Sequence, residues 1–451
     1  MPPSEDPYAP TSAGPLDPPT TFFGSFRHLG PGLVLSASVV GSGELISTTL
    51  LGAQAGFITL WVIIVSCLVK VTVQLEFGKH AISTGEPLML AFDRLPGPRA
   101  RGVSWSIWTW LILMLVKLVQ GGGVIGGVGL ILAVALPGSP VVWVPVVAIS
   151  VALLVFRGHY RFLERTSLVM TGFFTLLTFA SLAFLQFTPM AVTWDDITSG
   201  LTFQLPIAAV AIAIGTFGIT GVGGDEIMFY NYWLLEKGYA SHTGRPDKSA
   251  AWVKRARGWI RVMYIDALLS MVVYTTMTCA FFLLGAAILN AQGELPESGN
   301  LVASLSKMYT ETLGPWAKWV FLIGAFFVLY STLFSAVAGW SRVFSDAFAR
   351  IGFFDFNNLK SRRRSIAVLA WVFPAFLSVL YFIFKAPALM IVVGGAITAV
   401  ILLIVAFAAV HFRYRRLDPR LRPTRFYDAC LWISIVAIVA VGVYSVVKVL
   451  P

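Results

Sequence analysis

Gly215-Thr-Phe-Gly-Ile-Thr-Gly-Val-Gly-Gly-Asp-Glu-Ile-Met-Phe-Tyr-Asn-Tyr232 decides how the chain is read. It lies inside an apolar run from Pro206 to Leu235. The run begins as an apolar helix and then meets a cluster of glycines, which lower helix propensity. Two carboxylates, Asp225 and Glu226, follow at once. A carboxylate at mid-membrane costs several kcal/mol unless it is paired, hydrated or functional. The expectation is a helix broken at Gly221–Gly224, its free carbonyls and amides facing a cavity.

A second stretch has the same grammar. Gly30-Pro-Gly-Leu-Val-Leu-Ser-Ala-Ser-Val-Val-Gly-Ser-Gly-Glu-Leu-Ile-Ser47 is apolar, then glycine-rich, then acidic at Glu44. A break is expected at Gly41–Gly43. Two interrupted acidic spans in corresponding places of two halves point to a transporter binding site.

The rest of the chain supports that frame. Of 451 residues, 57% are hydrophobic and 12% charged, against about 25% charged in a soluble domain. This is the composition of an all-α polytopic membrane protein. The net charge of +11 sits in short loops, so it argues for membrane topology and against nucleic acid. Cys67, Cys279 and Cys430 lie in apolar spans without metal or disulfide spacing. Residues 1–29 read as a disordered tail without the pattern of a secretory leader.

Eleven apolar spans follow: Gly30–Gly52, Phe57–Phe77, Trp105–Leu136, Val141–Phe156, Ser167–Phe187, Pro206–Leu235, Trp259–Leu289, Trp316–Phe348, Ile366–Phe384, Ala388–Phe412 and Tyr427–Val447. Most approach the ~20 residues that cross a bilayer. Lys and Arg crowd the loops after the even-numbered spans, while alternate loops carry Asp195, Asp196 and Glu294. The alternation predicts an integral protein of the plasma (inner) membrane with a cytoplasmic N-terminus. Two five-span units of opposite direction are expected, over 30–187 and 188–412, with 413–451 holding a loop and an accessory eleventh helix.

Gly30-Pro-Gly32, Gly52-Ala-Gln-Ala-Gly-Phe57, Leu60-Trp61, Gln74 and Ser83-Thr-Gly85 resemble the start of the Nramp divalent-metal transporter family. Glu164-Arg165, Gly218-Ile-Thr-Gly221, Ile265-Asp266 and Gly285-Ala-Ala-Ile-Leu289 carry the resemblance further, to about Phe412. It implies a LeuT-like 5+5 inverted repeat with broken first and sixth helices. It also implies import of divalent metal with protons, the metal being substrate and not a resident cofactor. The site motifs depart from the family. Its Asp-Pro-Gly-Asn falls on Gly41-Ser-Gly-Glu44, and its Met-Pro-His on Asp225-Glu226-Ile227. The position that gives a backbone carbonyl falls on Val222.

Gly41, Glu44, Val222 and Asp225 are therefore the candidate substrate ligands. Glu44 and Asp225 are expected to face one cation; the alternative is that each pairs with a buried base such as Lys70 or Lys117. With the family's methionine gone, oxygen donors favour Mg²⁺ or Mn²⁺ over Cd²⁺. Glu226 is a candidate proton carrier or a cap on the second half-helix. Asp266, one turn into span seven, has functional and structural readings of equal weight. Lys117 and Gln120 precede the packing run Gly121–Gly127; with Tyr230 they are candidates for the pathway or for counter-charge. No nucleophile–base pair suggests an enzyme. An organic-solute transporter and a non-transporting sensor are the other readings. Acids without a nearby base would favour a cation, and a paired Lys117 would weaken that.

Overall fold

The computed structural model describes Asp6, Tyr8 and residues 15–157, 160–247, 249–296 and 299–449. Its α-helices longer than six residues are α1 Pro31–Val39, α2 Thr49–Ala55, α3 Leu60–Thr84, α4 Trp105–Ala135, α5 Pro140–Arg157, α6 Tyr160–Leu185 and α7 Val210–Ile219. They continue as α8 Gly224–Glu236, α9 Ala250–Leu284, α10 Leu301–Leu313, α11 Ala317–Arg350, α12 Leu359–Phe384, α13 Pro387–His411 and α14 Arg425–Val449. Among the described residues, eight helical stretches are long and apolar enough to cross a membrane; Pro140–Phe156 and Gly172–Leu185 are shorter apolar helices. The sole sheet among the described residues is an antiparallel pair, β1 Arg99–Ala100 with β2 Val103–Ser104.

The sixth span breaks where the glycines stand. α7 ends at Ile219, Thr220 is extended, and α8 begins at Gly224. Gly221 has φ +65°, a conformation a side chain would strain. The first span behaves differently. Only Gly41 leaves helical geometry (φ −77°, ψ −105°), and it does so inside a π-helical stretch, Val40–Thr48, that joins α1 to α2. Close packing explains the narrow break: a Cβ on Gly41 would lie 1.7 Å from the Thr332 hydroxyl and 2.8 Å from the Val328 carbonyl of α11. The Thr48 hydroxyl donates to the Glu44 carbonyl at 2.5 Å within the widened turn.

Around these two spans, α13 packs on α4 and α7, α9 on α3, and α11 on α4. The α7–α13 contact is backbone on backbone. A Cβ on Gly218 would lie 1.8 Å from the Gly395 carbonyl, and one on Gly395 would lie 2.2 Å from the Gly215 carbonyl. Small residues let membrane helices approach this closely. On the Lys/Arg-rich side, the described part of the tail lies against the bundle. The Tyr8 hydroxyl donates to Glu236 at 2.5 Å, Asp6 pairs with Arg362, and Trp259 Nε1 donates to the Leu16 carbonyl at 2.9 Å.

Candidate functional site

Asp225 occupies the first turn of α8, where the free amides of the helix favour a negative charge. It is 3% exposed. Lys117 of α4 forms an ion pair with it. Trp340 Nε1 of α11 donates to Asp225 Oδ2 at 2.8 Å. The Lys117 ammonium also lies 5.6 Å from the Trp340 ring centre, close enough for a cation–π attraction. Three helices thus meet at one carboxylate. Beside it is a cavity of about 30 Å³, room for a water or two. Lys117, Gln120, Asp225, Glu226, Thr332 and Thr398 supply its polar walls, with Gly43, Gly223 and apolar side chains completing them.

Glu44 faces elsewhere. It is fully buried and accepts from the Gly221 amide at 2.8 Å through Oε1, so it ties the π segment of the first span to the break in the sixth. Its Oε2 makes no hydrogen bond. Thr278 of α9 and Cys67 and Lys70 of α3 are its polar neighbours, and it does not line the cavity beside Asp225. The structure therefore sets the two carboxylates in separate surroundings, one toward α4 and α11, the other toward α3 and α9. Among the described residues, no group of three or more His, Cys, Asp or Glu is placed to hold a metal ion.

Lys70 is also fully buried. Its ammonium donates to the carbonyls of Phe217 and Thr220, the latter at 2.5 Å, with Gly218 O at 3.4 Å. Ser66, one turn earlier on α3, donates to Phe217 O and Thr220 O at 3.0 and 3.1 Å. Phe217 O and Gly218 O are open to these donors because Gly221 and Val222 have left the helix, and Thr220 O because Thr220 itself lies beyond the helix end.

The other candidates fall into place around these centres. Glu226 lines the cavity and accepts from the Gly223 amide at 2.6 Å, the capping geometry for α8. Gln120 lines it too, and its Oε1 is buried without a hydrogen bond. Gly41 is the non-helical residue of the first span, and Val222 is buried in the break. Asp266 is remote from the cavity. It accepts from the amides of Gly30 at 3.1 Å and Gly32 at 2.5 Å, and so caps α1 from α9. Tyr230 is buried near Asp266 and Gln74, away from the cavity. Sequence reasoning missed Trp340, Ser66, Thr332 and Thr398. A buried indole N–H needs an acceptor, which was the available signal for Trp340.

The Nramp family description, Natural resistance-associated macrophage protein-like, matches residues 32–448. An uncharacterized protein of Pasteurella multocida is 24% identical over 343 residues, 72% of this chain and 71% of the relative. The divalent metal cation transporter MntH of Listeria innocua is 25% identical over 295 residues, 64% of this chain, and the match spans 61% of that relative's length. A crystal structure of the Eremococcus coleocola manganese transporter, in complex with an aromatic bis-isothiourea substituted compound, superposes with TM-score 0.65 at 13% identity, covering 97% of this chain and 90% of that one. That likeness carries the fold, a LeuT-like arrangement with interrupted first and sixth spans. With the family's description matching nearly the whole chain, this protein belongs to the Nramp family.

Proposed function

We propose that the chain is a secondary transporter of divalent metal cations, with Mn²⁺ and Mg²⁺ preferred over softer ions. The observation that carries the reading is the donor set of the cavity. Asp225, Glu226, Gln120, Thr332 and Thr398 offer oxygen, and among the described residues no sulfur lines it. Oxygen donors suit hard ions, and Mg²⁺ keeps several waters that a widened cavity would admit. Membership of a family that includes a curated divalent metal cation transporter supports the same reading. In this proposal Lys117 holds Asp225 when no ion is present, and an incoming divalent cation displaces the ammonium. The Lys/Arg-rich loops face the cytoplasm.

Proton coupling is part of the proposal, with Glu226 as carrier. Glu226→Gln keeps an oxygen for the Gly223 amide but removes the charge. The expected outcome is a flattened pH dependence of uptake with little change in ion affinity. An unchanged pH profile in folded protein would take Glu226 out of the proton path.

Uptake by the purified full chain in proteoliposomes, with Mn²⁺, Mg²⁺ and Cd²⁺ at set pH gradients, tests the whole. Mn²⁺ or Mg²⁺ should move faster than Cd²⁺. One observation favours a second reading: the ammonium of Lys117 lines the cavity, where it would serve as counter-charge for an organic carboxylate. Movement of such a solute with no divalent ion moving would decide for that reading.

A further inference from the structure

We propose that Lys70 is a built-in cation: its ammonium fills a monovalent-cation site at the C-terminal end of α7. The sixth span breaks between Ile219 and Gly224. A helix that stops in the membrane leaves its last carbonyls without donors, and its C-terminus carries partial negative charge. Such ends, in transporters, are where coupling cations are held. Here the carbonyls of Phe217, Gly218 and Thr220 converge on one point, and Lys70 Nζ occupies it. The Ser66 hydroxyl bonds two of the same carbonyls. Glu44, with one oxygen free of hydrogen bonds, lies within electrostatic reach of the ammonium.

Carbonyl oxygens gathered on one positive point, with a carboxylate within electrostatic reach, are the environment of a hard cation. Any buried ammonium must satisfy three N–H donors; what marks a cation site here is that its acceptors all come from the end of one broken helix. This one has three carbonyls, a nearby carboxylate and no exposure to solvent. Because the charge is covalently attached, the site needs no ion from solution, and the native protein should be indifferent to Na⁺. The proposal is independent of which substrate the transporter carries.

The test uses the purified full chain and needs no substrate. Thermal stability of native protein and of Lys70→Ala is measured in NaCl, KCl, LiCl and choline chloride at equal ionic strength, with ²²Na⁺ binding alongside. Native protein should give the same Tm in all four salts and bind no Na⁺. Lys70→Ala should gain about 3 °C in at least one alkali salt over choline, because an ion that binds only the folded state raises Tm. It should also bind about one alkali ion per chain. A Lys70→Ala protein with one Tm in every salt would overturn the proposal, as would specific Na⁺ binding by the native chain. If Lys70→Ala does not survive purification in choline, its recovery decides in the same way. Monodisperse protein in NaCl, KCl or LiCl supports the site; loss in all four salts overturns it, and so does aggregation of Lys70→Gln in all four.

Discussion

The two buried lysines at the broken helices solve one problem in two ways. Lys117 meets a carboxylate, Asp225, in a direct ion pair beside a cavity. Lys70 meets backbone carbonyls and stands off its carboxylate, Glu44. A side-chain carboxylate can exchange one cation for another, whereas carbonyls of a helix end are fixed in place. In the proposed reading, exchange belongs to the Asp225 corner and permanence to the Glu44 corner.

The largest expected effect comes from removing Asp225. Asp225→Ala leaves Lys117 buried without its anion, a loss of about 3–5 kcal/mol in stability. Divalent uptake should vanish in whatever protein folds, read by denaturant melts and proteoliposome flux. Trp340→Phe is milder: it deletes one hydrogen bond to a charged group, worth about 1.5–3 kcal/mol, and should lower Tm while Lys117 still holds the carboxylate.

Lys117→Gln tests whether the ammonium competes with the ion. With the competing ammonium gone, Mn²⁺ should bind about tenfold more tightly, a change of about 1.4 kcal/mol, by calorimetry on folded protein. Weaker binding would mean that Lys117 assists the ion and does not compete with it.

The smallest effect belongs to a control pair at the surface. Glu294 bonds Lys307 and accepts from Ser304 at 2.7 Å. Hydrogen bonds from Lys307 and Ser304 hold its carboxyl below the ordinary value of 4.5. Its stabilisation is therefore present above that value and fades as pH falls through the lower folded-state value. Glu294→Gln should cost no more than about 0.5 kcal/mol at neutral pH and nothing in acid, by melts at both pH values. A loss comparable to that of Asp225→Ala would erase the distinction between exposed and buried pairs.

Much of this arrangement was legible in the sequence, and the parts that were not have physical causes. Glycine clusters within apolar runs marked both interruptions, and Asp225 with Lys117 was open as either an ion site or an ion pair. The direction of Glu44 was not legible. Helical phase carries a side chain's direction only while the turn stays at 3.6 residues. The π segment and the non-helical ψ of Gly41 reset that phase three residues before Glu44. The capping of α1 by Asp266 joins groups more than 230 residues apart, beyond any local pattern. Trp340 was not singled out, because nothing nearby in sequence names the acceptor for its indole.

The glycine contact between α7 and α13 has a mechanical consequence. Two backbones pressed together at Gly215, Gly218 and Gly395 leave no room for a side chain between them, a fit that resists sliding and couples the pair as one beam. Any alternation between outward and inward shapes must then be taken up past the beam's end, where the chain leaves the helix after Ile219 and re-enters it at Gly224. That makes α8 the lever and Gly221 its pivot. The fulcrum sits one residue from the carbonyl that Lys70 grips, so this lysine bears on the joint as well as on the charge.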